Sequence, residues 1–592
     1  MNHSSRAYPS SRSRLATALA LARAAVPALP LLLLGACGGG DSADALVAGA
    51  AAQATLTLTG TAATGAAVAG RTVEARCRSG SGSATSAADG RYNIAITDGA
   101  LPCVLRVTLA DGSTLHSLAL GGSDSATANL TPVSQLVLAR LAAADPASFF
   151  SGFDAAAAGA LDKDKVQTAV AIVLQVLKDA EVDIGDLNDP MTAPLVAAAG
   201  GAVGNAFDQA LDSFNMRLAN AGTTLPALVT AMMRSAPEAP TTLITNAPSL
   251  APEMLLRPAA ANCSALRSGR YRFIINDDGG AGRFATEVVS VDAPALKVTN
   301  ATGEVSTLTA AGACRYTTPQ GGSVTVSAAG VGVAQVDAAP FRAAVFFPEQ
   351  SHAPAALAGE WNTLALDRTD SSSAIHLTAW TATIDSSGKL SGGLHCDAVV
   401  GPCETLAGVN LPDLTLTANE AGGLNFVNAS DNFSDRLFVY RAGGGELMFV
   451  LLSPSGHITF GTRKAARGLP AEGDRSEGWQ LTLQPNARAP FYTAPFAMSQ
   501  YRSITTRVDA ATGGYERSAV TNFTSGVTRT EDLRVNSPRA GYLQRQPGTV
   551  TASNGASSVI SEWVGLPLRG MGMTAVGILS SNQLVLSVGQ AQ

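Results

Sequence analysis

Short runs in which apolar and polar residues alternate, each closed by a glycine-bearing turn, recur along most of this chain and confine it to β architecture. Thr55-Leu56-Thr57-Leu58-Thr59 opens the series. Successive side chains of a strand point to opposite faces, so this pattern describes a strand buried on one side. Arg71-Thr72-Val73-Glu74-Ala75, Arg91-Tyr92-Asn93-Ile94-Ala95-Ile96, Cys103 to Leu109 and Thr114 to Leu120 follow, with Asp89-Gly90 and Asp111-Gly112 as turns. Strands so spaced predict a small antiparallel β-sandwich over 54–131. Charged residues make up only 15% of the chain and glycines number 59, which suits a turn-rich, mainly β protein.

From Thr131 the apolar period lengthens to about 3.6, the helical repeat. Val133, Leu136, Val137 and Leu141 follow the Thr131-Pro132 start, and Val166, Val170, Val173, Leu174 and Leu177 follow Asp162. Val203, Phe207, Leu211, Phe214 and Leu218 form a third stripe, and Leu225, Leu228, Val229 and Met232 a shorter fourth. These predict a helical bundle over 132–235, with the Pro-rich stretch 236–260 as a linker. The rest returns to strands, among them Arg270 to Ile275, Ser323 to Val326, Thr381 to Ile384, Arg436 to Tyr440 and Leu447 to Leu452. Gly269-Arg270-Tyr271, Gly359-Glu360-Trp361 and Gly478-Trp479 each open a strand after a loop. That recurrence divides the region into β-sandwich or barrel modules at 261–350, 351–468 and 469–592. The fold class expected is thus multidomain and mainly β, because a chain this long exceeds what one core supports.

Leu34-Gly35-Ala36-Cys37 follows an apolar stretch that ends in four leucines, and Arg6, Arg12 and Arg14 precede it. This arrangement resembles the bacterial lipoprotein signal. The resemblance implies a signal peptide at 1–36, lipid on the Cys37 thiol, a flexible tether over 37–53, and outer-membrane sorting, since Gly38 rather than Asp follows the cysteine. The membrane would then be a partner through Cys37, with the folded part facing the periplasm or the cell surface. The apolar stretch is too short to span a bilayer, whereas two or more acyl chains anchor stably. Removing 1–36 takes four of the 40 Lys and Arg and none of the 46 Asp and Glu, so the net charge deepens from −6 to −10. An acidic chain with few basic clusters is a poor nucleic-acid binder, and no nucleic-acid partner is expected.

Assigning Cys37 to lipid leaves an even six of the seven cysteines: Cys77, Cys103, Cys263, Cys314, Cys396 and Cys403. An exported protein can oxidise them, and pairing of sequence neighbours gives three disulfides. Loop-closure entropy assigns these about 3.5, 4 and 2.5 kcal/mol as upper values.

Two further resemblances concern the modules. Ala69-Gly70-Arg71-Thr72-Val73 followed by Ala87-Ala88-Asp89-Gly90-Arg91-Tyr92 resembles the carboxypeptidase regulatory-like, transthyretin-like domain. In that family the domain is a structural or binding module without catalytic residues. Gly359-Glu360-Trp361 resembles the Gly-x-Trp opening of a lipocalin-like barrel, which implies a small apolar ligand held near Trp361.

Catalytic signatures are scarce. No Gly-x-Ser-x-Gly elbow occurs, and neither a phosphate-cradling glycine loop nor a dinucleotide fingerprint is present, so no cofactor is expected. His395-Cys396 with Cys403 and His376 has the ligand set of a tetrahedral zinc site, but a disulfide between the two cysteines is the favoured reading, and no metal is expected. The acidic run Asp179, Glu181, Asp183, Asp186, Asp189 puts Ile184 and Pro190 where a calcium loop needs glycine and glutamate. A carboxylate pair for hydrolysis would be spatial and cannot be named from sequence. The expectation is a non-enzymatic envelope lipoprotein that binds a partner or ligand or serves as structure; the alternatives are a lipocalin-like carrier and, third, a hydrolase.

Overall fold

Leu56 and Leu58 face one side of strand Thr55–Thr61, which pairs antiparallel with Arg91–Thr97 and parallel with Ser125–Thr127. The computed structural model describes residues 54–589 apart from 237–238, 240–246, 277–283, 338–341, 368–375, 429–432, 455, 484–497 and 522–526. The expected signal peptide 1–36, Cys37 and the tether 37–53 lie outside the described residues. A four-stranded sheet, ordered Ser81–Thr85, Thr72–Ser79, Ala100–Thr108, Thr114–Ala119, completes the sandwich. Leu58, Tyr92 and Ile94 meet Val73, Leu105 and Leu115 in one core. Cys77 and Cys103 are direct register partners on neighbouring strands and are joined by a disulfide, with Cα atoms 3.9 Å apart.

The change of period at Thr131 coincides with helix Pro132–Ala142. Thr131 and Ser134 exchange hydrogen bonds there in a capping box, which satisfies donors that a helix start leaves unpaired. Gln135 Oε1 then accepts the His116 backbone N–H at 2.8 Å, and Ser134 Oγ donates to the His116 carbonyl at 2.9 Å, fastening the helix to the edge strand Thr114–Ala119 of the four-stranded sheet. Helices Lys163–Asp179, Ala206–Ala221 and Leu225–Arg234 gather around Val173, Leu177, Leu211, Phe214 and Met232. Val203 does not join its expected stripe and is 80% exposed. The helix begins only after Asn205, whose side chain caps the Asp208 N–H. The described part of the expected linker is packed: Leu250, Met254 and Leu256 are buried around helix Pro252–Leu255, and the Ser249 carbonyl accepts the Gly443 N–H.

Residues 263–348 and 359–463 are two copies of one plan. The first is a nine-stranded sheet running from Val305–Thr307 to Thr309–Gly312, so its two edge strands are neighbours in sequence. The second, also nine-stranded, runs from Glu404–Leu406 to Leu414–Ala418 with the same property. In each, the strand carrying the glycine-aromatic opening lies in the middle and pairs with both the next strand and the last one. Tyr271 and Trp361 are both fully buried and both reach four residues back. Tyr271 Oη donates to the Arg267 carbonyl at 3.0 Å, and Trp361 Nε1 to the Leu357 carbonyl at 2.7 Å. Gly359 has φ of 127°, and a Cβ there would sit 2.5 Å from Arg463 Nη1, so the position requires glycine. Gly478-Trp479 breaks the pattern: Trp479 lies beneath Arg315, whose Cζ is 3.6 Å from the ring centroid.

Eight strands from Arg475–Leu483 to Gln583–Gly589 form a closed barrel. A lipocalin-like barrel is the expectation at 351–468. The described residues around Trp361 form an open nine-stranded sheet, linked across its arms by the isolated bridge Lys389–Thr415, and closure occurs in the following module. The second sheet's edge strands, of three and five residues with a 3-10 turn at Gly408–Asn410 between them, do not ladder together. Leu481, Leu566 and Leu586 of the barrel wall pack with Val333 and Phe347 of the first sheet and Tyr440 and Phe460 of the second in one shared core.

Candidate ligand cavity

The concave face of the 263–348 sheet is not filled by its own side chains. Tyr271, Phe273, Val289, Val324, Val336 and Phe346 line a cavity of about 250 Å³. Alternation places them there: the same strands send Ile274, Val333, Val345 and Phe347 the other way, into the shared core. Phe273 and Phe346 stack with centroids 4.8 Å apart and planes within 8°, and Tyr271 meets Phe346 edge-on at 6.3 Å. Burial pushes the Tyr271 hydroxyl far above the usual phenol range. The charged part of the lining is mainly acidic, and Asn300, Ser306, Thr318 and Gln320 add uncharged polar groups. Glu287, Glu304 and Asp337 stand against Arg342, whose Nε lies 2.5 Å from Asp337 Oδ2.

In the second sheet the space next to Trp361 is packed, and an open cavity of about 460 Å³ lies further along the same face beside Trp380, Leu390, Leu414 and Phe426. Trp361 packs on Phe449 at 5.0 Å between centroids, and the Arg463 guanidinium lies 4.3 Å above the indole. Arg463 also donates to the carbonyls of Ala356, Leu357 and Ala358, closing that end. Trp361, the expected ligand contact, is a packed core residue here and does not line the cavity. The different packing around Tyr271 and Trp361 could be found in sequence only by aligning the two modules strand by strand.

The remaining expected residues are placed as follows. Cys263 joins Cys314 and Cys396 joins Cys403, with Cα atoms 4.6 and 4.3 Å apart. Because Cys396 and Cys403 are bonded to each other, the thiolate pair of the zinc alternative does not exist, and His395 lies beside Asp397 at 3.5 Å. His116 is buried against Gln135 and Phe150.

One cluster went unrecognised in sequence. His457 Nδ1 lies 2.6 Å from Asp367 Oδ1, and Asp435 sits beside both. Burial raises the Asp435 carboxyl to about 7; a hydrogen bond from Ser453 and the charge of His457 oppose the shift, while Asp367 adds to it. Two carboxyls and an imidazole are a set that hydrolases use. Here, however, Asp435 is 8% exposed, and only Asp367 lines the neighbouring open cavity of about 460 Å³ near Trp380 and His395. The signal was an aspartate at the position that alternates in step with Leu437 and Val439 on strand Phe433–Arg441, with partners 68 and 22 residues away.

No protein-family model matches this chain, and no curated protein matches it. Among solved structures it is similar to transferrin-binding protein B of Haemophilus parasuis Hp5. The double mutant of that vaccine antigen is 8% identical over 55% of this chain and 76% of that one, with a TM-score of 0.17. A single mutant is 9% identical over the same shares with a TM-score of 0.18. Intact Ap-TbpB, with its N and C lobes, is 10% identical over 58% of this chain and 79% of that one, with a TM-score of 0.16. Likenesses at such TM-scores carry no argument about fold or function.

Proposed function

We propose that this protein is a non-enzymatic, lipid-anchored binding protein of the outer membrane, which holds a small apolar molecule in the 263–348 module. The anchor is Cys37, and the sandwich and helices are its structural base. The observation that carries the binding reading is the aromatic-floored cavity behind Tyr271, an apolar hollow with a few polar groups, which is the usual form of a small-ligand site. Three carboxylates against one guanidinium select a neutral or cationic head over an anionic one. The buried position of Asp435 favours binding over hydrolysis, since no substrate reaches its carboxyl. The test is fluorescence titration of the mature chain with N-phenyl-1-naphthylamine, which is neutral, and with anilinonaphthalene sulfonate, which is anionic. Saturable one-to-one binding of the neutral probe, weakened at least tenfold by Val336→Trp, is expected. Equal binding of both probes, unaffected by that substitution, would refute the assignment.

A further inference from the structure

The closed barrel is charged inside. Its strands Arg475–Leu483, Trp563–Leu568, Met573–Ile578 and Gln583–Gly589 turn their apolar faces outward to the shared core. The alternate positions, Gln480, Trp563, Thr574 and Ser587, therefore face a cavity of about 400 Å³. On the opposite wall the inward positions are Arg517, Arg529, Glu531 and Arg545. Glu531 is 2% exposed, and both its oxygens are engaged. Arg517 Nε and Nη2 donate to Oε2 at 3.1 and 2.9 Å, while Arg529 Nε and Arg545 Nη1 donate to Oε1 at 2.9 and 2.7 Å. Burial opposes the Glu531 charge, but the three guanidiniums outweigh it and hold the carboxyl below its ordinary range.

Three guanidiniums around one carboxylate leave two positive charges in an enclosed space. Arg467, Arg475 and Arg502 line the same cavity, and Asp474 is the one further carboxylate among its described lining residues. Counting the Glu477 partner of Arg502 as well leaves the excess positive. This sits in a chain whose acids outnumber its Lys and Arg by 46 to 40. A structural ion pair needs one cation per carboxylate; Arg545 is buried and also donates Nε and Nη2 to the Ser561 carbonyl, while Arg517 and Arg529, 23% and 33% exposed, stand at the cavity wall as cations beyond that need. Guanidinium forks match carboxylate and phosphate oxygens in pairs, and walls of low polarity strengthen their attraction for an anion. Trp563 adds an aromatic wall, with the Arg517 and Arg545 guanidiniums each 5.6 Å from its ring centroid.

We infer that the barrel interior is a second binding site, for a small dianion bearing carboxylate or phosphate oxygens, with Glu531 acting as the template that holds the three arginine forks in position. It is separate from the apolar cavity and opposite to it in charge preference, so each stands or falls independently. The test is isothermal titration of the full mature chain at low ionic strength with succinate and, separately, phenyl phosphate. One saturable site per chain for either anion is expected, weakened at least tenfold by Arg529→Gln and weakened also by Glu531→Gln, which releases the arginine forks from their template. Binding of one anion and not the other identifies the oxyanion recognised. Failure of both to bind, or binding that Arg529→Gln leaves unchanged, overturns the site. If the Glu531→Gln chain does not fold, the Arg529→Gln comparison decides alone.

Discussion

Asp435→Asn should make the second β module more stable at pH 8 and change it little at pH 4. The carboxyl is buried and shifts from the ordinary 3.8 to about 7. A folded-state value above the unfolded one means that the folded chain keeps a proton which the unfolded chain releases. The stabilising contribution is then complete below about pH 4 and is lost as pH rises toward 7. A shift of roughly three units corresponds to about 4 kcal/mol lost across that window. Asparagine keeps the shape of the neutral carboxyl, can accept from Ser453, and does not ionise. Its chain should therefore lack this loss and exceed the wild type by up to about 4 kcal/mol at pH 8. Hydrogen exchange of strand Phe433–Arg441, corrected for intrinsic rates, reads the local opening energy in the full chain. Parallel pH dependence in the two chains would refute the reasoning, as would a variant less protected than wild type at pH 8.

Other substitutions probe separate parts of the account. Replacing Cys263 and Cys314 together by alanine should lower stability by about 4 kcal/mol or less, seen as a reduced melting temperature without added reductant. Trp361→Ala should cost about 3–5 kcal/mol, as removal of a large core aromatic does, while neutral-probe affinity at the first module stays within about twofold of wild type. Arg463→Met removes a donor from the carbonyls of Ala356, Leu357 and Ala358, and Leu357 keeps its bond from Trp361 Nε1, so exchange in the segment Pro354–Leu357 and the strand after it should rise at a cost of about 1 kcal/mol for each of the two half-buried carbonyls left unpaired. Asn205→Ala should fray the start of helix Ala206–Ala221 at about 1 kcal/mol, measured by exchange of its first turn.

The sequence was most legible where one period held and one face was buried. Thr55–Thr61 and Arg91–Thr97 alternate in burial as their residues alternate in polarity, and the glycine-aromatic openings at Tyr271 and Trp361 mark the middle strands of two equivalent sheets. Legibility failed where alternation does not say which side is inside. Polarity in Gly514–Thr521 and Arg529–Val535 does not mark the solvated side: Arg517 and Glu531 point into the barrel, because the apolar face of the opposite wall is claimed by the shared core. Val203 failed for a local reason: three glycines and the Asn205 cap delay the helix past an apolar residue that matches its period. The ligand site failed for a packing reason, since Trp361 of Gly-x-Trp is enclosed by Phe449 and Arg463, whereas Tyr271 of Gly-x-Tyr borders a cavity.

Native mass spectrometry of the mature chain purified from the cell envelope tests the central claim most directly. The account predicts a mass increment of one small neutral or cationic molecule per chain, displaced one-to-one by N-phenyl-1-naphthylamine and missing from the Val336→Trp chain. A bare protein mass that takes up no probe would contradict it.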